Sequence, residues 1–205
     1  MNSFTVSIII LTSIISVLSF NNARLRDALI FWPPAISMRH QYYRFLTCGL
    51  IHADLMHLAF NMFSLFVFGK ALENYYMGVL GLQHLYYIVL YITAIIVANI
   101  PTYIKRREDY NYRSLGASGG VCAVIFAFIL IDPWVPIYLY FIKMPAILYA
   151  VLFLGFTIYM SRRGGDNVNH DAHLWGAVYG VVFTIAARPS VVTDFLEQLK
   201  HPHFG

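Results

Sequence analysis

Long uncharged apolar stretches alternate with short polar segments along this chain. A helix that crosses a bilayer needs about 20 mostly apolar residues, and six stretches approach that length. The pattern predicts spanning helices at residues 4–20, 55–72, 79–104, 118–131, 137–160 and 172–187. Residues 189–205 form a short amphipathic tail. With no internal repeat and no second hydrophobic unit, residues 1–205 are interpreted as one membrane domain.

Composition supports the membrane interpretation. Hydrophobic residues make up 59% of the 205 residues and charged residues only 12%, whereas a soluble domain carries about 25% charged residues. The net charge of +4 comes from basic residues that flank the apolar segments. This arrangement is typical of lipid-facing loops and gives no indication of nucleic acid as a partner. Cys48 and Cys122 form no CxxC motif.

Polar residues inside predicted spans are costly in lipid and usually functional. In the sequence H-A-D-L-M-H-L-A-F-N, His57 and Asn61 are four residues apart and share one helix face. Both side chains can donate hydrogen bonds to a developing negative charge. The alternative is an ordinary pair of buried polar residues.

A serine among glycines opens the fourth span, in the sequence Gly116-Ala-Ser118-Gly119-Gly120. Such a serine is commonly just a helix cap. However, glycines let a substrate backbone come close, and a helix N-terminus presents N–H groups to an oxyanion. The motif is therefore a candidate nucleophile site.

Two histidines, His170 and His173, lie where the sixth span begins. They could bind a metal only together with further ligands, for which His52 and His57 are the available histidines. Metal binding is thus an alternative, and the preferred interpretation has neither metal nor cofactor.

The predicted topology brings these places together, because spans two, four and six all start on the same side of the membrane. Small residues at four-residue spacing let membrane helices approach closely. The fourth and sixth spans carry such stripes: Gly116, Gly120, Ala123 and Ala127 in one, and Ala172, Gly176 and Gly180 in the other.

Taken together, the motifs resemble the rhomboid family of intramembrane serine proteases. His52 to Asn61 is similar to the family's H-x4-H-x3-N pattern, and Gly116 to Gly119 to its G-x-S-G. Ala172-His173 with Gly176 is similar to its A-H-x-x-G, and Tyr43-Arg44 to its aromatic-Arg pair. The resemblance implies a six-helix, all-α bundle.

Two positions depart from the family pattern. Cys122 stands four residues after the serine, where rhomboids often have an aromatic that packs on the catalytic histidine. Trp175 stands two residues after His173, where the family commonly has a small residue. Neither departure removes a reacting group.

The resemblance also implies roles for individual residues. Ser118 would be the nucleophile and His173 its base, with Asp171 directed elsewhere. The oxyanion donors would be the Ser118 N–H, His57 and Asn61, and His52, Arg44, Gly116 and Gly119 would support the site. The expected substrates are single-pass or other transmembrane proteins. The alternatives are a catalytically inactive relative that binds membrane clients and a histidine-lined metal transporter.

The family resemblance and the distribution of basic residues predict opposite orientations in the membrane. Family resemblance implies a bacterial inner membrane, with the active site on the extracytoplasmic side. A positive-inside count places the catalytic side in the cytoplasm, because the predicted catalytic-side loops hold most basic residues: Arg24, Arg26, Arg39, Arg44, Lys105, Arg106, Arg107, Arg113, Arg162 and Arg163.

Overall fold

The computed structural model describes residues 3–78, 83–139 and 141–202, and within these ranges the chain is mostly helical. Its apolar helices are α1 (Phe4–Phe20), the continuous α5–α6 rod (Leu55–Gly78), α7 (His84–Arg106), α8 (Ser118–Ile131), α9 (Ala146–Arg163) and α10 (His170–Ala187). The α5–α6 rod, α7 and α9 are long and apolar enough to cross a membrane, and α10 joins them if it is counted with the helix that follows it.

Helix α8 is the centre of the bundle. Every residue after its first is buried, and it packs against α7, α10 and the α5–α6 rod. Its 14 residues extend about 21 Å at 1.5 Å per residue, less than the ~30 Å hydrocarbon core. An apolar helix this short and this completely surrounded can begin or end below the membrane surface.

Glycines bring α8 and α10 into backbone contact. A Cβ placed on Gly176 would overlap the Gly119 carbonyl, and one on Gly180 would overlap that of Ala123. The close contact with α10 therefore begins at Gly119, one position before Gly120 of the predicted stripe. Gly120 instead faces Ile95 of α7, where an added Cβ would lie 2.9 Å from the side chain.

The predicted fifth span starts too early. Residues Pro136–Leu139 (β1) and Ile142–Pro145 (β2) form an antiparallel hairpin, and α9 begins only at Ala146. Pro136 and Pro145 face each other at the open end of the hairpin. Since the residue before a proline disfavours helical backbone and proline itself suits a first helical turn, Pro145 marks the start of α9. The fold is mostly helical, consistent with the predicted all-α class, with this short hairpin added before α9.

Other predicted boundaries shift by smaller amounts. The second span continues to Gly78 through a π-helical segment, Leu65–Gly69, that lies between α5 (Leu55–Ser64) and α6 (Lys70–Gly78). The predicted start of the third span, at residue 79, lies outside the described residues. Helix α10 begins two residues before the predicted start at 172, because Asn169 caps it.

The chain segments outside the bundle cover its two ends. Between α1 and α5 lie three short helices, α2 (Ala23–Leu29), α3 (Pro33–Arg39) and α4 (Arg44–Thr47), and a 3₁₀ turn, Cys48–Leu50. After α10 the chain bends by 112° into α11 (Val191–Lys200). The Gln198 amide of α11 donates to the carbonyl of Ile131 at 2.9 Å, which satisfies one of the last carbonyls of α8.

Candidate active site

The Ser118 hydroxyl and the imidazole of His173 meet between α8 and α10. Ser118 Oγ lies 2.8 Å from His173 Nε2, a normal hydrogen-bond distance. When Nε2 is unprotonated, the hydroxyl donates to it. Ser118 is the first residue of α8, so its own N–H is among the donors that a helix leaves without an intrahelical partner.

The turn before Ser118 depends on Gly116. Its φ of +121° lies in the left-handed region, which glycine adopts without a steric penalty. Its N–H donates to the Cys48 carbonyl at 2.9 Å. A Cβ at this position would lie 2.8 Å from Cε1 of His57, so glycine also makes room for that ring beside the serine. Gly119 is similarly confined, since an added Cβ would lie 2.8 Å from the Ala98 Cβ.

The surroundings of His57 favour a ring nitrogen that can donate a hydrogen bond near the serine loop. Asp54 caps α5 by accepting from the His57 N–H at 2.8 Å. The Ala53 N–H points at Nδ1 of His57 at 3.5 Å. A neutral imidazole has one donor and one acceptor nitrogen, so this contact favours the proton on Nε2, the nitrogen that faces Gly116.

Asn61 lies one helical turn from His57 and is buried. Its amide donates to the His57 carbonyl at 3.0 Å. An amide group has two hydrogens, so one of them remains for a second acceptor. The structure therefore places His57 and Asn61 together, with the His57 ring against the serine loop.

His52 links the first helix to the serine loop. Its Nε2 accepts from the Ala117 N–H at 3.4 Å, and its Nδ1 lies 3.1 Å from Ser16 Oγ on α1. The ring also packs edge-to-face on His57, with centroids 4.9 Å apart. His52 thus holds the backbone next to Ser118.

Arg44 orders the loop between α1 and α5. The side chain is buried, and its Nη1 donates to the carbonyls of Asp27 and Ile30 at 2.8 and 2.7 Å. Its Nε donates to Gln41 Oε1 at 2.7 Å. Because Arg44 is buried and bound to these partners, its charge has a structural role. It is therefore weaker evidence for membrane orientation than an exposed basic residue.

The acidic residues near His173 bind other partners. Asp171 accepts from Lys105 at 2.7 Å and from Ser161 at 2.6 Å. Asp166 lies 3.0 Å from Nε2 of His170, and this hydrogen bond is the main reason why the pKa of Asp166 is below its ordinary value. Within the described residues, the geometry is that of a Ser–His pair.

Asn169 is a residue that sequence reasoning missed. It caps α10 by accepting from the Ala172 N–H at 3.1 Å and also accepts from Thr102 of α7 at 2.8 Å. Its amide reaches Asn99 Oδ1 at 3.4 Å. An asparagine just before an apolar helix is a typical cap signal. What the sequence could not show is that this cap also ties the start of α10 to α7.

A small cavity of about 10 Å³ adjoins this cap and Ser118. Its lining includes four polar residues, Asn99, Ser114, Ser118 and Asn169. Its volume is close to the smallest that admits one water molecule.

The ring of His173 is bordered by Phe153 of α9, with centroids 6.2 Å apart and planes tilted by 32°. Cys122, four residues after the serine, is buried in α8. An aromatic contact on this histidine is therefore present, although it comes from a different helix. Trp175 is 44% exposed on the outer surface of α10, where lipid would lie.

Comparison with known proteins shows to which family the chain belongs. Residues 39–190 match the family model for the rhomboid domain. The chain belongs to the rhomboid family.

Its relatives are spread over several organisms. This rhomboid is 29% identical over 150 residues to RHOMBOID-like protein 12, mitochondrial, of Arabidopsis thaliana (67% of this chain, 44% of that protein). It is 30% identical over 146 residues to the Bacillus subtilis rhomboid protein YdcA (70% and 66%). It is 30% identical over 173 residues to Rhomboid-related protein 1 of Caenorhabditis elegans (80% and 45%). The chain thus spans about half to two thirds of these relatives' lengths.

Family membership and the apolar helices together identify this rhomboid as an integral membrane protein. Within residues 3–78, 83–139 and 141–202, no group of three or more His, Cys, Asp or Glu side chains could hold a metal ion. His52 pairs with His57 and His170 with His173, at ring-centroid distances of 4.9 and 5.8 Å. The metal-transport alternative gains no support from these pairs.

Proposed function

We propose that this rhomboid is an intramembrane serine endopeptidase that cleaves transmembrane helices of other membrane proteins with a Ser118–His173 dyad. The observation that carries the proposal is the 2.8 Å contact between Ser118 Oγ and His173 Nε2. A serine hydroxyl is a weak nucleophile until an adjacent base removes its proton. Here the base lies at the distance that proton transfer requires.

The first half-reaction forms an acyl-enzyme. Ser118 Oγ attacks the carbonyl carbon of the scissile peptide bond while Nε2 of His173 takes the hydroxyl proton. The tetrahedral intermediate collapses, the C–N bond breaks, and His173 returns the proton to the leaving amine.

The second half-reaction releases the acyl group. His173 takes a proton from a water molecule, whose oxygen attacks the ester carbonyl. When this intermediate collapses, His173 returns the proton to Ser118 Oγ, and the new carboxylic acid leaves and releases its remaining proton to water. The reaction needs no cofactor.

The negative charge of each intermediate would be stabilised by an oxyanion hole. The proposed donors are the N–H of Ser118, Nε2–H of His57 and the second amide hydrogen of Asn61. Support comes from the contact of Ala53 with His57 Nδ1, which favours a proton on Nε2. One such donor is typically worth a factor of 10² to 10³ in kcat.

Substrates are proposed to be single-pass or other transmembrane proteins whose helix unwinds near its end. Unwinding exposes the peptide bond, and small or helix-weakening residues make it less costly. Because α8 is shorter than the bilayer core, its N-terminus would lie below the membrane surface in a recess that admits water. Irregular backbone at that depth is tolerated where protein or water satisfies it.

For topology we propose six spans in a bacterial inner membrane, with the active site on the extracytoplasmic side. The charge count favours the opposite orientation, but several of the basic residues in that count have partners within the protein. Arg44 is buried, and Lys105 forms an ion pair with Asp171 at 2.7 Å. Reaction of a cysteine placed at exposed Asn111 with a membrane-impermeant reagent in intact cells tests the orientation. Labelling supports the proposed side, and protection overturns it.

The proposed activity is tested by comparing wild type with Ser118→Ala and His173→Ala. Wild type should react with an electrophilic serine probe and cleave a model transmembrane substrate in liposomes, whereas both variants should lose cleavage while their thermal stability is kept. Substantial cleavage by either folded variant would disprove the dyad. A wild-type protein that neither reacts nor cleaves, but binds membrane clients, would identify an inactive relative.

A further inference from the structure

The imidazole of His173 lies next to an aromatic side chain from α9. Phe153 lies with its centroid 6.2 Å away and its plane tilted by 32°, within the range of favourable aromatic pairs. The hydrogen bond to Ser118 fixes only one ring nitrogen. Rotation of the ring about that bond is limited by what packs against its faces.

Phe153 is itself held by aromatic contacts on two helices. It stacks on Tyr149, one turn earlier in α9, with centroids 5.7 Å apart and planes 27° apart. It also contacts Phe126 of α8 at 5.7 Å. The ring next to the proposed base therefore packs against one aromatic side chain of α9 and one of α8.

The other aromatic residues of α9 do not share this position. Phe156 lies one turn further on, contacts His170 at 5.8 Å, and is 56% exposed. It has the same residue type on the same helix but borders the histidine that is absent from the proposed dyad. Phe156 is therefore a matched control for Phe153.

We propose that Phe153 is a positioning residue that holds the His173 imidazole in the orientation in which Nε2 meets Ser118. The proposal rests on the proposed serine-protease function. The support of His173 then comes from α9, although Ser118 lies on α8 and His173 itself on α10. The orientation of the base then depends on how α9 packs against that pair.

The test compares Phe153→Leu, which keeps apolar bulk without a ring, with Phe153→Tyr, which keeps the ring, and with Phe156→Leu. The readouts are the labelling rate of Ser118 by an electrophilic serine probe, kcat and KM for a model transmembrane substrate, and thermal stability. An aromatic pair is worth up to about tenfold in rate. We expect Phe153→Leu to slow labelling and kcat by up to about tenfold with little change in KM. Phe153→Tyr and Phe156→Leu should remain close to wild type.

Several outcomes would overturn the proposal. Phe153→Leu could label at the wild-type rate, or Phe156→Leu could lose as much as Phe153→Leu, which would indicate general packing of α9. Phe153→Tyr could be as slow as Phe153→Leu, which would show that the aromatic ring is not what supports His173.

A second measurement separates this proposal from the proposed function. In protein with ¹⁵N-labelled histidine, the His173 imidazole signal, assigned by its loss in His173→Ala, should shift in Phe153→Leu and stay in place in Phe156→Leu. If these shifts appear although wild type neither labels nor cleaves, the positioning contact stands and the protease function fails. An unshifted signal in Phe153→Leu would refute the positioning contact whatever the activity.

Discussion

Helix α10 meets two of its neighbours, α8 and α9, through different kinds of contact. Towards α8 it has glycines, and the Gly176 and Gly180 positions touch the backbone of Gly119 and Ala123. Towards α9 the contact near His173 is made by a side chain, Phe153. Only 17% of the most apolar part of α9 is buried.

The difference indicates how the site divides its tasks. Backbone contact fixes the distance between the helices that carry Ser118 and His173, since no flexible side chain lies between them. The aromatic contact from α9 can yield without moving either backbone. We therefore expect changes at the α8–α10 contact to damage the fold, and changes elsewhere around the site to damage mainly the rate.

The largest effect is expected for Gly176→Ala. Its Cβ would overlap the Gly119 carbonyl, so α10 must move away from α8. The loss of stability should exceed about 3 kcal/mol, the usual upper limit for an overpacked core, and cleavage should be lost. Gly155→Ala on α9 is the control, because its Cβ would meet no atom within 4 Å. Equal thermal stability of the two variants would contradict the comparison.

The next effect concerns the oxyanion donors on α5. Asn61→Ala should lower kcat by about a hundredfold or more, as expected for one lost donor, with little change in KM. Labelling by a strongly electrophilic serine probe should persist at a reduced rate, since the dyad remains assembled. Asn74→Ala, at the exposed far end of the same rod, should behave as wild type. Full activity in both His57→Ala and Asn61→Ala would reduce these residues to ordinary buried polar groups.

A smaller effect is expected for the cap of α10. Asn169→Ala removes the acceptor of the Ala172 N–H and of Thr102, so stability should fall by about 1 kcal/mol and labelling should slow. Asn169→Ser keeps a capping oxygen and should recover stability. Asn22→Ala removes the cap of α2 and should leave the labelling rate unchanged. Equal slowing by Asn22→Ala would show that the loss is not specific to α10.

The smallest effect is expected for His170→Ala. Its ring contact with His173 is worth at most ~1.5 kcal/mol, so activity should stay within about tenfold of wild type. The hydrogen bond from His170 keeps the pKa of Asp166 below 3.8. Its stabilisation is complete above that value and is lost only as pH falls through the lowered pKa. Removing His170 should therefore change the contribution of Asp166 to stability only at acidic pH. An inactive His170→Ala with an active His173→Ala would reassign the base.

The sequence by itself predicted much of this protein. The apolar stretches indicated a membrane protein, and the family motifs indicated a rhomboid, which the family match confirms. The same motifs predicted Ser118 and His173 as a nucleophile and its base. These features are local in sequence: hydropathy follows from composition, and each motif is a short run of neighbouring residues.

Other features depend on contacts between distant segments, and only the tertiary structure decided them. The hairpin that shortens the fifth span follows from pairing of Pro136–Leu139 with Ile142–Pro145, which a hydropathy pattern does not reveal. The contact of Gly176 with Gly119, rather than with Gly120, depends on how the two helices are rotated about their axes. Phe153 could not be linked to His173 from sequence, because its place beside the imidazole is fixed by the packing of α9 against α8 and α10. Apolar side chains on a lipid-facing helix have no pattern that distinguishes the one turned towards the site.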